Sequence, residues 1–393
     1  MRLSFLTPNL IHIRSKACRN DNKNWKVRKF PPMNKTISGM TILFICCAII
    51  GEEPEFYVWQ RQHTPEMQSA VTEFYLKCSG KLYFLAGELE NDGRIIRIPP
   101  SKAVDFSRAV PVVRIHVKNL EKTPAVLAGE IVKLYALWKA ANALQIDLDA
   151  PESKLDYYRN VMLELRKKLP GAGLSATVLP CHLKHAAAFR TLASACDYYV
   201  LQVHGLTRRK KIWSTYDYAE AVRAVTRAKS LKLSFKTALP LYCNWVGIGQ
   251  LVQPDLTDVS KLAAVCDEVI GFRLGIPGDG SALDLETALQ ICKGQGYAPK
   301  LETRWERKTG GAWHLFIRNR GFFAERVTLS LDFKEPPMDM DTFNRASLNG
   351  KHNDLTLILP PSGMEKTYLW VRPGGDPGRE PEVKIERKGD TRK

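Results

Sequence analysis

ALQIDLDAP (143–151), KLDYYRNVMLELRKKL (154–169), LSATVLP (174–180), AAAFRTLASAC (186–196) and YYVLQVHG (198–205) follow one another with only a few residues between them. The first, third and fifth runs are short and rich in apolar or β-branched residues, so they read as strands. The second and fourth place apolar residues three and four apart, the spacing of one helix face. Strand–helix–strand alternation predicts a parallel sheet covered by helices. The pattern continues in both directions. Towards the N-terminus lie the strand-like FYVWQRQ (56–62), LYFLAGEL (82–89) and VPVVRIHV (110–117), with helices at 64–78 and 130–142. Thr64 and Pro65 form the cap and first turn of the earlier helix. Towards the C-terminus lie strands at 232–242 and 268–275 and helices at 216–231, 258–266 and 284–296.

That makes eight strands, seven of them followed by a helix. The exception is the second strand, which leads into an irregular stretch containing RIIRIPP (94–100). The alternation spans Phe56–Tyr297, close to the roughly 250 residues of a (β/α)8 barrel. The expected fold is therefore α/β, a TIM-like (β/α)8 barrel over 53–298, with an open doubly wound sheet as the alternative. After residue 298 the period changes to two. KLETRWER and AWHLFIRN flank a Lys308-Thr309-Gly310-Gly311 hairpin turn, and RVTLSLDF (326–333), DLTLILP (354–360) and TYLWVRP (367–373) alternate apolar with polar residues. These predict a small antiparallel, sandwich-like β domain over 299–375. Gly, Pro and charge dominate 376–393, which reads as a disordered tail.

The 393 residues carry a formal charge of +17, which by itself points to nucleic acid. Its distribution points elsewhere. Residues 1–40 hold nine Lys/Arg and one acid, Asp21, so this arm contributes +8. The apolar run MTILFICCAII (40–50) follows, then Gly51, Glu52 and Glu53. A basic region, a short apolar core and a polar boundary form the pattern of an export signal. Residues 1–52 are thus expected to be a basic arm plus a signal or anchor, with translation starting at Met33 or Met40. Cys46 or Cys47 would be the lipidated residue of a lipoprotein, but each follows a larger residue than such sites carry. The body contains no C-x-x-C. Cys196, Cys266 and Cys292 sit in apolar patterns and read as buried small side chains.

In a barrel of this kind the site lies at the C-terminal strand ends. On LQIDLDAP the alternation puts Leu144, Ile146 and Leu148 towards the helices and Gln145, Asp147 and Asp149 into the lumen. Two lumen-facing acids are costly to bury without a purpose. The second strand ends with Glu88 at the rim. Paired carboxylates suit glycoside hydrolysis, one carboxyl protonating the leaving oxygen and the other serving as nucleophile or base. Asp147, Asp149 and Glu88 are the candidate catalytic residues. Gln60, Arg61, Arg114, His116, Gln202, His204, Lys236, Tyr242 and Arg273 are the candidate substrate-binding residues, because each falls near a strand end. Trp59, Trp213, Tyr216, Tyr242 and Trp245 could stack on sugar rings.

LQIDLDAPESKL (144–155), YVLQVHG (199–205) and ALPLY (238–242) resemble an uncharacterised bacterial family with a glycosidase-like barrel and no established activity. The resemblance covers roughly residues 56–300 and implies an exported barrel. Asp147-x-Asp149 is also similar to part of the chitinase-type D-x-x-D-x-D-x-E signature. The position of its final acid is Pro151 here, its first Asp is Leu144, and Glu152 comes one residue late. The chitinase mechanism therefore does not carry over.

The sequence favours an exported glycoside-hydrolase-like barrel acting on a carbohydrate. A non-catalytic carbohydrate-binding or envelope-associated barrel is the alternative, and nucleic-acid binding ranks last. No cofactor or metal is expected. Cys181, His182 and His185 make a weak metal candidate, and Arg208–Lys211 beside Trp213 make a patch for an acidic polymer. There is no P-loop, no dinucleotide fingerprint and no G-x-S-x-G elbow.

Overall fold

The computed structural model describes residues 53–388, except 210–211, 248–249, 299, 322–324, 345, 350–352 and 361–364. The basic arm, the apolar run with Cys46 and Cys47, and Lys210 and Lys211 lie outside the described residues.

The strands of the first part, in chain order, are β1 (Glu55–Val58), β2 (Leu82–Leu89), β3 (Ile95–Arg97), β4 (Ala109–Ile115), β5 (Ala143–Asp147), β6 (Gly173–Val178), β7 (Tyr198–Gln202), β8 (His204–Arg209), β9 (Ile212–Tyr216), β10 (Phe235–Pro240), β11 (Asn244–Val246), β12 (Gln250–Val252) and β13 (Val269–Phe272). Eight of them, β1, β2, β4, β5, β6, β7, β10 and β13, pair in parallel in that order, and β13 pairs back onto β1. The sheet is a closed barrel. The helices α1 (Pro65–Lys77), α2 (Pro124–Tyr135), α3 (Leu155–Lys168), α4 (Ala186–Ala193), α5 (Tyr218–Ser230), α6 (Leu256–Ala263) and α7 (Leu285–Cys292) surround it. As the sequence implied, no helix among the described residues follows β2. Its place is taken by β3, which folds back antiparallel on β2, and by an irregular stretch tied down by the Trp138 indole, which donates to the Ile98 carbonyl at 2.8 Å.

Two apolar layers follow from the alternation. Outward-facing residues such as Phe56, Phe84, Leu144, Ile146 and Leu174 pack against the helices. Inward-facing Tyr57, Tyr83, Val110, Val112, Val200, Ala238 and Ile270 fill the lumen. The filling is not wholly apolar. At the N-terminal end Lys236 lies 2.8 Å from both Glu55 and Glu268, and the Tyr83 hydroxyl donates to Glu55.

Strands end earlier than their composition suggests. FYVWQRQ is extended only to Val58, and ALQIDLDAP leaves the sheet after Asp147, where the Thr177 hydroxyl accepts from the Leu148 amide at 3.2 Å. Two hairpins were not foreseen: β8–β9 rises directly after β7, and β11–β12 after β10.

Beyond the barrel come β14 (Leu301–Arg307), β15 (Trp313–Asn319), β16 (Glu325–Phe333), β17 (Asp339–Thr342), β18 (Ser347–Asn349), β19 (Asp354–Leu359), β20 (Lys366–Arg372) and β21 (Val383–Lys388). They form two antiparallel four-stranded sheets, β14-β15-β20-β17 and β18-β19-β16-β21. Leu315, Ile317 and Leu369 of one and Val327, Leu329 and Leu357 of the other share one core. Strand β21 corrects the expectation of a disordered tail from 376. Val383 and Ile385 alternate with charged residues, and their apolar sides cover that core.

Candidate active site

Glu88 would face the wrong way if β2 were regular. Tyr83 points into the lumen, and Glu88 is five residues later, so strict alternation would turn it outwards. The pairing of β2 with β4 shifts between Leu85 and Gly87, a β-bulge that inserts one residue. Beyond it Glu88 is level with Arg114 and shares its inward face. The Glu88 side chain is only 1% exposed and is held by two cations: Arg61 Nε pairs with one carboxylate oxygen, and Arg114 Nη1 lies 3.5 Å from the other.

Arg114 links Glu88 to the acids of β5. Its Nε lies 4.0 Å from Asp147 Oδ2, while the Thr177 hydroxyl donates to Asp147 Oδ1 at 2.8 Å. The Asp147 side chain is 15% exposed, so it is accessible from the barrel mouth. Its pKa is pushed up to about 6, first by burial and then by the neighbouring charge of Asp149, with Arg114 opposing. Burial also raises Asp149, again against Arg114. Two adjacent carboxyls in a desolvated corner do not ionise independently, so a proton is retained on the pair at a pH where an ordinary aspartate has lost it.

Around this centre lie Arg61, which also reaches Glu90 at 2.8 Å, and His116, whose Nε2 is 3.3 Å from Glu90. Burial and then Arg114 lower the His116 pKa, favouring the neutral ring. Glu88, Glu90 and His116 approach one another closely enough to surround a cation. The Arg61 guanidinium already bridges the two carboxylates, so a metal would have to displace it.

On the other side of the mouth, Gln202 donates to the His204 carbonyl, and the Tyr242 hydroxyl lies 3.3 Å from His204 Nδ1. His204 is pushed down to about 3 by burial and is neutral. The two sides meet over aromatic rings: Phe272 packs against Tyr57, Trp59, His204 and Tyr242, with ring centres 5.1–5.5 Å apart. The Tyr57 hydroxyl donates to Gln145 Oε1 at 2.7 Å.

The expected residues thus separate. Asp147, Asp149, Glu88, Arg61, Arg114 and His116 form one cluster, and Gln202, His204 and Tyr242 lie opposite. Gln60 is half-buried in the loop after β1, and its amide has no hydrogen-bond partner among the described residues. Lys236 belongs elsewhere. It begins β10 rather than ending it and is bound to Glu55 and Glu268 at the far end of the barrel. Arg273 is held by Asp279 at 2.7 Å and by the Ser281 hydroxyl. The weak metal candidate also resolves into a structural role: His182 is buried, accepting from the Leu179 amide and donating to the Ala150 carbonyl, while His185 pairs with Glu152. That pairing leaves Glu152 outside the cluster, so it does not replace the acid missing at Pro151. Sequence reasoning missed Tyr57, Glu90, Thr177 and Phe272. Tyr57 and Phe272 did carry a signal, since both lie on inward-facing positions of strands whose ends had been identified.

A family model described as a domain of unknown function (DUF3142) matches residues 107–257, which include Arg114, Asp147, Asp149, His204 and Tyr242. No curated protein sequence matches the chain. Among solved structures, the spore cortex-lytic enzyme SleL of Bacillus megaterium QM B1551 aligns at 11% identity with a TM-score of 0.42, covering 79% of this chain and 65% of that one. This chain therefore spans about two thirds of the length of the spore enzyme. The thermostable α-L-arabinofuranosidase of Thermotoga petrophila RKU-1 aligns at 10% identity and a TM-score of 0.34 over 81% of this chain and 96% of its own. An aldolase, QR15, aligns at 13% identity and 0.35 over 57% and 91%.

Proposed function

We propose that this protein is an exported glycoside-hydrolase-like barrel that acts on a polysaccharide or glycoside at the mouth formed by β1, β2, β4 and β5. One observation carries the reading: a solvent-reachable carboxyl, Asp147, has its pKa pushed up to about 6 beside Asp149, with a carboxylate clamped between arginines, Glu88, next to it across Arg114. A carboxyl that retains its proton beside a carboxylate paired with cations is what acid–base glycoside cleavage requires. In this reading the Asp147–Asp149 pair supplies the proton to the leaving oxygen, and Glu88 is the anionic partner. Arg114 positions both, and the half-buried Phe272 and Trp59 rings offer an apolar face to the sugar. The apolar run at 40–50 behind a basic arm supports export. No helix among the described residues is long and apolar enough to cross a membrane.

Pro151, standing where chitinase-type barrels carry their acid, favours a second reading in which the same cluster only binds carbohydrate. Reducing-end release from a panel of bacterial and plant polysaccharides separates the two. Turnover by the wild type that is lost in correctly folded Asp147→Asn and Glu88→Gln chains supports the enzyme. Binding without turnover by the wild type supports the binding protein.

A further inference from the structure

Glu88 and Glu90 flank Leu89 at the end of β2, so alternation turns both carboxylates to one side. Leu89 is level with Ile115 of β4, and the His116 amide donates to the Leu89 carbonyl at 3.0 Å, which brings His116 alongside Glu90. A buried amide fixes this corner from within. Asn119 is 3% exposed, and its amide nitrogen lies 2.9, 3.2 and 3.0 Å from the carbonyl oxygens of Leu89, Glu90 and His116. The backbone that carries these three side chains is therefore held rigidly.

His116 supplies the observation that points to a ligand. It is 7% exposed, and its Nε2 lies 3.3 Å from Glu90 Oε2 without making a hydrogen bond to any described residue. A buried ring nitrogen left in that position is costly unless something else satisfies it. Burial and then the Arg114 charge favour the neutral ring, the form that ligates metals. Two donors on one Zn2+, at roughly 2.0–2.1 Å and a tetrahedral angle, stand about 3.3–3.4 Å apart, which is the separation of His116 from Glu90. The donor atoms of Glu88, Glu90 and His116 all lie within 4.8 Å of one another. The widest gap must close by roughly 1 Å, within the freedom of a glutamate's terminal torsion. Arg61 covers the remaining side. It pairs with Glu88 Oε2 through Nε and with Glu90 Oε1 through Nη2, from a side chain that is 55% exposed. A cation already sits between the two carboxylates, and more than half of it is in solvent.

We infer that Glu88, Glu90 and His116 form a binding site for a divalent transition-metal ion of the Zn2+ class, which Arg61 covers and the ion displaces. One imidazole and two carboxylates suit Zn2+ or Mn2+ better than Ca2+ or Mg2+, which prefer oxygen donors alone. The ion takes the Glu88 oxygen that Arg61 vacates. Arg114 keeps the other oxygen, so Glu88 remains an anion paired with cations. Three protein ligands leave a coordination position open on the side that Arg61 now covers, where the ion takes water or a ligand's oxygen. The inference stands or falls apart from the carbohydrate reading, because it is tested by metal binding and not by turnover.

The test is titration calorimetry on the full chain with Zn2+, Mn2+ and Ca2+ as probes. Thiols and histidines elsewhere in the chain are common to every variant and cancel in the comparison. His116→Ala and Glu90→Gln should each weaken Zn2+ binding at this site by about 10–100-fold or more, since each removes a ligand. Arg61→Ala should instead tighten it by about tenfold, because the competing cation is gone. Arg94→Ala removes another exposed cation, one paired with Asp92 just beyond the same strand, and should change the affinity little. A gain in affinity cannot come from misfolding, so the Arg61 variant decides the matter even if His116→Ala unfolds. Zn2+ affinity unchanged in both His116→Ala and Glu90→Gln overturns the inference. So does an Arg61→Ala chain that binds Zn2+ no tighter than the wild type, or no tighter than Arg94→Ala. Ca2+ bound more tightly than Zn2+ and Mn2+ overturns the assignment to a transition metal.

Discussion

Replacing Asp147 by asparagine should stabilise the fold in a pH-dependent way while removing activity. Raising the pKa of Asp147 from 3.8 to about 6 means that ionising it in the folded protein costs about 3 kcal/mol more than in the unfolded chain. The sign follows from which state holds the proton. Below pH 4 both states are protonated and nothing is lost. Between pH 4 and 6 the unfolded chain ionises first, so the native state loses stability as pH rises. Above pH 6 the full penalty applies. Asparagine has no charge at any pH, and its amide oxygen can still accept from the Thr177 hydroxyl, which lies 2.8 Å from Asp147. The variant should therefore match the wild type near pH 4 and exceed it by up to about 3 kcal/mol at pH 8. With about 2–4 °C per kcal/mol for domains of 150–250 residues, that is a clear rise in melting temperature. Calorimetric or circular-dichroism melts of both proteins from pH 4 to 8 give the difference directly. A gap that is the same at pH 4 and pH 8, or a less stable variant at pH 8, would refute the claim that Asp147 is a strained, desolvated carboxyl.

Arg114 opposes the upward shift of both Asp147 and Asp149, so Arg114→Met should move the pH dependence of any turnover to higher pH as well as slowing it; a profile that falls in height without moving would mean Arg114 does not tune the pair. Thr177→Val removes the donor to Asp147 and the acceptor for the Leu148 amide, and should cost about 1–3 kcal/mol in denaturant unfolding. Lys236→Met leaves Glu55 and Glu268 unpaired at the closed end of the barrel, and should cost about 3–5 kcal/mol while leaving ligand affinity unchanged; a specific loss of affinity without loss of stability would return Lys236 to the binding site.

The barrel was legible because its signal is periodic and local. Each strand is a short apolar run and each helix a three-and-four stripe, and burial of both faces of a parallel sheet leaves little freedom in where they go. Asp147 was legible for the same reason, since alternation along β5 fixes its side. Strand ends were less so. Composition continues through Gln62 and Pro151, but backbone pairing stops when the neighbouring strand turns away, and that depends on residues distant in sequence. The displacement of Lys236 to the other end is the clearest case: Phe235–Pro240 and the residues before it look equally extended, and only the register with β7 and β13 shows where the sheet begins.

Glu88 shows what no periodicity argument reaches. It was selected because it ends a strand, although counting from Tyr83 would have excluded it from the lumen. The bulge between Leu85 and Gly87 reverses that parity. Gly87 permits it because a methyl group there would lie 2.8 Å from the Ile96 carbonyl oxygen and 3.0 Å from the Leu134 methyls. The absent helix after β2 is part of the same arrangement. Strand β3 folds back onto β2 at Gly87–Leu89 and takes up the pairing beside the bulge, with Glu88 level with Ile96. An interrupted strand, a missing helix and a glycine, each of which weakens the barrel pattern when read alone, together turn one carboxylate inwards against Arg61 and Arg114. The irregularity of the fold is thus concentrated where the proposed chemistry needs a charge.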